Sequence, residues 1–284
     1  MKQSQFTLFI LIFLSHSVFS ATITVCASMC DEVSISDAIM AANPGDVIQI
    51  NDAVHTEQNI DIDKNITIQG TGQTATIVQA HANQAMAVDG VFKILTVGLT
   101  VIFRDMTIQN GNADGTMSST LDTGGAVYIR CNSSTDVTFE NVTINNNKSQ
   151  GDRGGGIYIT DDGTQGMVTF TNCVISNNEA VGSGGDGGGI ANRGADNLTM
   201  TKCTISGNTA GDDGGGFYVF EDGSTNRFIN CTVFNNSAGA SSIDEGRAGG
   251  FYLSSDSNFE FFNCTIVENT VSTAATLQGA GIYH

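Results

Sequence analysis

The chain has 284 residues, of which 34 are glycine and one is proline, and 40% of the residues are hydrophobic. This composition excludes a disordered glycine-rich segment, which would carry more proline and fewer apolar residues. The formal net charge of −18 argues against nucleic acid and anionic membrane surfaces as partners. The charge is compatible with a soluble exported protein or with one that binds cations.

Residues 1–20 have the organisation of a secretory signal peptide. Lys2 supplies a positive start, an apolar run extends from Phe6 to Leu14, and small residues end the segment before Ala21. The run is shorter than the roughly 20 residues that span a bilayer, although an uncleaved anchor is the alternative. We therefore expect a secreted or cell-surface protein, extracellular or on an outer membrane, with no transmembrane segment in the mature chain.

Residues 21–46 predict an N-terminal cap that contains a short helix. Ser34 and Asp37 resemble a capping box, apolar residues recur on one helical face after them, and Asn43-Pro44-Gly45-Asp46 ends the helix. Such a helix would cover the open end of a stack of repeats. Cys26 and Cys30, close to the cap, are the expected disulfide because export exposes them to oxidising conditions.

Residues 47–284 hold repeats whose last six copies align position by position at steps of 28 to 36 residues. The anchor of each copy is an apolar residue two positions after a Cys-like position, and alternation along a strand gives both the same face. One coil cannot bury that face alone, so neighbouring coils must stack. The sequence thus predicts an all-β, single-stranded right-handed parallel β-helix, which we expect to continue past His284. The anchors are Ile108, Ile144, Ile175, Ile205, Val233 and Ile266.

Asparagine occupies two columns of the repeat. One column precedes the Cys-like position, and the other follows the anchor by three residues. Asparagine tolerates left-handed backbone at turns, and stacked asparagines can hydrogen-bond along a ladder. We interpret both columns as structural, although the first also creates sequons such as Asn141-Val-Thr143.

Several motifs resemble those of the polymorphic outer membrane protein repeats. Gly124-Gly125-Ala126-Val127 matches the GGA-plus-aliphatic motif of that family, and Ile144-x-x-Asn147 is a relaxed form of its Phe-x-x-Asn motif. Ser36 to Asp46 looks like the N-terminal cap of many secreted right-handed β-helix proteins. The resemblance implies a surface-exposed or secreted, adhesin-like β-helix without a shared enzymatic activity. Aliphatic residues in place of phenylalanine and GGG in place of GGA depart from the family pattern.

A catalytic alternative rests on the pectin lyase-like fold, which pectate lyases and polygalacturonases share. Gly211-Asp212-Asp213-Gly214 looks like the Gly-Asp-Asp of polygalacturonases, whose carboxylates act on a glycosidic bond. That family also needs a histidine motif and an Arg-x-Lys motif, and neither occurs in the sequence. We assign no catalytic residue, and an enzyme that acts on acidic polysaccharide remains the alternative function.

Acidic residues precede the glycine clusters of successive copies. Stacked carboxylates repel one another unless water or a cation bridges them, and Ca²⁺ prefers oxygen ligands. The sequence predicts either a calcium site or a solvated row of loops, and no other cofactor. The candidate ligands are Asp186, Asp212, Asp213, Asp244 and Glu245, in line with the earlier Asp122 and Asp152.

All five tyrosines occupy one repeat position, directly after a residue that faces the core. Alternation therefore places them on the outer face of a strand. They serve either as a stacked row that stabilises the sheet or as an exposed surface that binds a glycan or a protein partner. The tyrosines are Tyr128, Tyr158, Tyr218, Tyr252 and Tyr283, and Ala191 stands in the remaining copy.

Four cysteines, Cys173, Cys203, Cys231 and Cys264, share the inward column before the anchor. We interpret them as small buried hydrophobic residues, because parallel Cβ vectors disfavour disulfides and the spacing is not that of a zinc finger. Taken together, the sequence favours a monomeric, non-catalytic, exported β-helix that serves adhesion or display.

Overall fold

The computed structural model describes residues 20–113, 123–151, 153–161, 163, 166–182, 184–220, 223–240, 246–253, 257–272 and 279–284. The strands of these residues form three sheets, and every strand pairing within them is parallel. The chain winds as a right-handed solenoid, which confirms the expected fold. The repeat register is also as expected, because Ile144 pairs with Ile175, which in turn pairs with Ile205. Of the predicted signal peptide, residues 1–20, all but Ser20 lie outside the described part of the chain.

The three sheets wrap around one axis, and each coil contributes short strands to them. The first sheet consists of Thr22–Val25, Val47–Ile50, Val54–Thr56, Ile66–Gln69, Ile77–Gln79, Thr100–Gln109, Asp136–Asn145, Gly166–Thr171, Val174–Ser176, Ala195–Thr201, Thr204–Ser206, Thr225–Ile229, Thr232–Phe234, Asn258–Phe262 and Thr265–Val267. The second sheet consists of Ile60–Asp61, Phe92–Ile94, Val127–Cys131, Ile157–Asp161, Ile190–Arg193, Phe217–Val219, Phe251–Leu253 and Ile282–Tyr283. The third sheet consists of Asn112–Ala113, Lys148–Ser149, Glu179–Ala180, Thr209–Ala210, Ser237–Ala238 and Thr270–Val271.

Inward side chains form ladders along the axis. The rings of Phe103 and Phe139 stack at 5.0 Å, and those of Phe139 and Phe170 stack at 4.8 Å. These centroid distances match the spacing of neighbouring strands. All three phenylalanines are fully buried, so stacked rings fill the interior where one coil alone would leave its apolar face in water.

The asparagine column after the anchor lies inside the solenoid. The Asn178 side chain donates to Oδ1 of Asn208 at 2.9 Å, and Asn208 donates to Asn236 at the same distance. The backbone amide of each donor binds the same oxygen. The ladder therefore satisfies buried polar groups at a bend where the strands are interrupted. The other asparagine column adopts left-handed backbone, with φ of 53° at Asn141 and 55° at Asn230.

The glycine clusters mark places where the backbones of neighbouring coils approach closely. A Cβ added to Gly188 would lie 2.5 Å from the carbonyl oxygen of Gly215, and one added to Gly215 would lie 2.5 Å from that of Gly249. Any side chain at these positions would push the coils apart. Glycine is therefore required by the backbone contact between coils, and the residue directly before each cluster is held in a repeated position.

The cap helix spans Ile35–Ala41, with Ser34 as its N-cap. Ile35, Ala38 and Ile39 are buried against the first coil, as the apolar pattern predicts. Besides this helix, the described residues contain a 3₁₀ turn, Gln84–Met86. Among them, no helix is both long and apolar enough to cross a membrane.

Candidate functional site

The outer face of the second sheet carries the tyrosine row. Tyr128 pairs in register with Tyr158, and Tyr218 pairs with Tyr252, which pairs with Tyr283. Their strand neighbours, such as Val127 and Phe217, are fully buried in the core. The alternation inferred from the sequence is therefore present in the structure.

Of the two alternatives for the tyrosine row, an exposed surface is wrong for three of the five residues. Tyr128, Tyr158 and Tyr218 are only 8%, 7% and 5% exposed, because they pack with Ala191 and Leu95 in a second apolar cluster outside the solenoid core. Burial raises the pKa of Tyr128 to about 12. The sequence could place these rings on the outer face of the sheet, but it could not show that neighbouring side chains cover them.

The tyrosines of the last coils stack on one another. The Tyr218 and Tyr252 centroids lie 4.9 Å apart with ring planes 22° apart, and those of Tyr252 and Tyr283 lie 5.5 Å apart at 18°. Tyr252 and Tyr283 are partly exposed. In this arrangement ring faces meet along the axis, so the row presents ring edges and hydroxyls outward. We name Tyr252, Tyr283 and the adjacent Arg247 the tyrosine edge.

Beside this row, one repeat position reads Arg153, Asp186, Asp213, Arg247 along the axis. Arg153, Asp186 and Asp213 directly precede a glycine, and Arg247 occupies the same position before Ala248-Gly249-Gly250. Arg153 Nε lies 3.4 Å from Asp186 Oδ2, and Arg247 Nη2 lies 3.4 Å from Asp213 Oδ2. The Arg247 backbone amide also donates to Asp213 Oδ1 at 2.7 Å. We call these four residues the charge column.

The aspartates of the charge column are buried, and Asp212 joins them. One carboxylate oxygen from each of Asp186, Asp212 and Asp213 lies within 4.8 Å of the others, while the side chains of Asp186 and Asp213 are 7% and 6% exposed. Burial raises the pKa of Asp186 to about 7 against the opposing charge of Arg153. Burial also raises the pKa of Asp213 to about 6, and the Asp212 carboxylate adds to the rise.

The structure thus brings together three of the five predicted calcium ligands. Asp244 and Glu245 lie outside the described residues, as do Asp122 and Asp152. Oxygens within 4.8 Å of one another suit a Ca²⁺ ion, whose ligands lie at about 2.3–2.6 Å. Two guanidinium groups already face the Asp186 and Asp213 carboxylates, and a calcium ion would have to displace them. Calcium binding therefore remains a prediction.

The three histidines of the described residues lie away from the cluster of Asp186, Asp212 and Asp213. His55 Nε2 lies 3.0 Å from Glu57 in the first coils, the exposed His81 bonds to Asn83, and the His284 ring packs near Phe259. A glycosidase needs one accessible acid and room for water or a nucleophile on the other side of the bond. Asp186 and Asp213 are buried and paired with arginines, whereas Asp212 is partly exposed.

Sequence reasoning placed Asp186 and Asp213 in an acidic row, but it missed that Arg153 and Arg247 share their column and pair with them, and it missed a second polar cluster near the cap. The first could have been found by aligning the residue directly before each glycine cluster. In the second, the Glu57 carboxylate accepts hydrogen bonds from the Ile35 amide at 2.7 Å and from the Ser36 amide and hydroxyl, and it also contacts His55. No sequence spacing indicated that Glu57 holds the N-terminus of the cap helix.

The cysteines fall into two groups. Cys26 and Cys30 form a disulfide next to the cap. Cys173, Cys203 and Cys231 are buried thiols in the inward column, and Cys264 is partly exposed. The interior position of this column is the one that its spacing predicts.

Residues 100–283 match the family model described as a right handed beta helix region. The chain belongs to this family of right-handed parallel β-helix proteins. No curated protein matches the chain.

Three solved structures illustrate the fold similarity. Pectate lyase Pel9A has 17% sequence identity and a TM-score of 0.55, with 84% of this chain and 62% of that chain covered. ORF18 of Geobacillus virus E2 has 16% identity and a TM-score of 0.57, with 84% and 46% covered. A pectin methylesterase from Aspergillus niger has 12% identity and a TM-score of 0.50, with 92% of each chain covered. This chain therefore spans less than two thirds of the first two proteins, and at these identities the similarity shows the fold alone.

Proposed function

We propose that this protein is a non-catalytic, exported β-helix that binds an extracellular glycan along the tyrosine edge. The observation that carries the proposal is that the nearby acids are buried and paired. Asp186 and Asp213 each face an arginine, so they stabilise the coils beneath the tyrosine edge rather than form a reaction centre. The resemblance of the repeats to polymorphic outer membrane proteins supports an adhesin-like role at a cell surface.

The geometry of the tyrosine edge favours an extended polymer. Polar and aromatic groups recur once per coil, at a spacing of about 4.8 Å, and Arg247 lies 5.4 Å from the Tyr252 centroid and 5.7 Å from the Tyr283 centroid. A chain molecule that lies along the axis contacts successive copies of the same groups. Sugar hydroxyls can accept from the guanidinium and exchange hydrogen bonds with phenol hydroxyls.

The test is binding of the mature protein to an array of neutral and acidic polysaccharides, followed by affinity measurements on any hit. The double variant Tyr252→Ser/Tyr283→Ser should lose binding and keep its circular dichroism spectrum. The matched control is Phe262→Ser, because Phe262 is an exposed aromatic residue on the first sheet, with Arg227 5.2 Å from its ring centroid. Binding that survives the tyrosine substitutions, or that disappears equally in the control, would contradict the proposal.

A second candidate is an enzyme that acts on acidic polysaccharide. It is favoured by the cluster of Asp186, Asp212 and Asp213, because carboxyl groups with raised pKa values are common at active sites. The assay measures reducing ends and unsaturated products from polygalacturonate with and without Ca²⁺. Product formation that Asp212→Asn abolishes would replace the non-catalytic proposal with this one.

A further inference from the structure

The inward cysteine column is a continuous row of reduced thiols. Cys173, Cys203 and Cys231 are 1%, 2% and 2% exposed, and Cys264 follows in the next coil. The residues next to them pair in register, Val174 with Thr204 and Thr204 with Thr232. Neighbouring thiols therefore recur at about the 4.8 Å spacing of strands.

The sulfur atoms interact with one another as well as with the backbone. Thiols in adjacent coils interact electrostatically, Cys173 with Cys203, Cys203 with Cys231, and Cys231 with Cys264. Each thiol also has carbonyl oxygens nearby, as for Cys231 Sγ, which lies 3.4 Å from the Met200 and Ile229 oxygens. The thiols thus point along a shared column rather than into separate pockets.

We propose that adjacent thiols of this column form a binding site for Cu(I), held in a two-coordinate, nearly linear arrangement between two sulfur atoms. Thiolates are the soft ligands that select Cu(I). Sulfur atoms one coil apart can hold an ion midway between them, at about half the 4.8 Å strand spacing. The ion replaces a thiol proton, which in the metal-free protein is directed at backbone carbonyls, as for Cys203 with the Phe170 and Thr201 oxygens. Zinc does not fit, because it requires about four ligands in a tetrahedron, whereas any position between neighbouring coils has only two thiols beside it.

The charge balance favours a monovalent ion. Two thiols and Cu(I) give a thiolate–Cu(I)–thiol unit with release of one proton and no change of oxidation state, so the buried product is neutral. A charged product would be strongly disfavoured in this apolar environment.

Two double variants with equal numbers of thiols test the proposal. Cys203→Val/Cys231→Val leaves Cys173 and Cys264 three coils apart, whereas Cys173→Val/Cys264→Val leaves Cys203 and Cys231 adjacent. Valine is suitable because Val142 occupies the same column in an earlier coil and is fully buried. Cys131→Val is a further control, since Cys131 is a buried thiol at the end of a second-sheet strand.

The reduced protein is titrated anaerobically with Cu(I), with bicinchoninate as the competing chelator. We expect the native protein, Cys131→Val and Cys173→Val/Cys264→Val to withdraw Cu(I) from the chelator, with two sulfur neighbours seen by X-ray absorption. We expect Cys203→Val/Cys231→Val to lose this capacity while its circular dichroism and melting curve show a folded chain. The proposed site would be overturned if the two double variants withdrew Cu(I) equally well, or if the native protein withdrew none. Glycan binding by the tyrosine edge is a separate measurement and is not affected by either result.

Discussion

Arg247 holds Asp213 through two separate groups. Its backbone amide donates to one carboxylate oxygen at 2.7 Å, and its guanidinium lies 3.4 Å from the other. The same guanidinium packs over the rings of Tyr252 and Tyr283. Arg247 therefore links the buried charge column to the tyrosine edge, and it stabilises a carboxylate that burial would otherwise disfavour.

Replacing Arg247 with alanine should destabilise the protein by about 1–2 kcal/mol, because Asp213 then keeps its backbone hydrogen bond but loses its counter-charge. The value lies below that for a fully buried pair because the arginine side chain is 36% exposed. Urea unfolding measures the change. The matched control is Arg227→Ala, which breaks an ion pair with Glu260 whose partners are 48% and 46% exposed, and which should cost less than about 1 kcal/mol. A larger loss in the control would refute this account.

Asp186 should make the protein less stable as the pH rises from about 4 to about 7. Its pKa is raised from 3.8 to about 7 in the folded state, so in this window the unfolded chain has released a proton that the folded chain retains. The folded state binds more protons, and stability therefore falls with increasing pH. Chemical unfolding at several pH values should show this slope in the native protein and a smaller one in Asp186→Asn. Asp63→Asn is the control, because its side chain is 61% exposed; if it flattens the slope equally, the assignment is wrong.

His55 should hold the cap helix more firmly in mildly acidic than in alkaline solution. Burial alone would lower its pKa, but hydrogen bonds and charges from Glu57 and Asp52 outweigh this effect and raise the pKa above 6.5. These two acids are the charged groups that face the ring. A neutral imidazole has one N–H, so above this pKa one carboxylate must face a lone pair. The stabilisation is fully present below about 6.5 and disappears as the pH rises through the raised folded value.

Hydrogen exchange of the cap-helix amides at pH 6 and pH 9 measures this effect. In the native protein, we expect protection relative to intrinsic rates to decrease at the higher pH. His55→Gln should remove the difference, because glutamine does not titrate and cannot donate a proton to both carboxylates as a charged ring does. His81→Gln, which alters an exposed histidine bonded to Asn83, should behave like the native protein. An unchanged pH response in His55→Gln would exclude His55 as the cause.

Asn208→Ala should cost about 3 kcal/mol, because the interior ladder would lose both the acceptor for Asn178 and the donor to Asn236. Asn208 is fully buried, so water cannot replace these partners. Asn235→Gly is the comparison, since Asn235 is exposed at a turn with φ of 54°, where glycine is tolerated. Thermal and urea unfolding should separate the two variants clearly; similar stabilities would mean that the ladder contributes little.

The sequence by itself determined the parallel coils, their register and the face on which each repeated residue lies. Ile144, Ile175 and Ile205 had to stack inward because a strand alternates its side chains and no single coil can bury its own apolar face. The same reasoning gave the Asn178–Asn208 ladder and the cap helix after Ser34. These properties depend on the repeat pattern, which can be read from the sequence alone.

Only the tertiary structure decided what surrounds the outward-facing residues. Tyr128 and Tyr218 face away from the core, yet they are buried because other side chains cover that face of the sheet. The sequence predicts Asp186 as either a calcium ligand or a solvated loop acid, but Arg153 from the preceding coil pairs with it. Glu57 contacts the cap helix from 22 residues away. Burial, pairing and pKa depend on groups brought together from different coils through loops of varying length; repeat alignment can place two residues in one column, but it does not show their burial or their contacts outside the column.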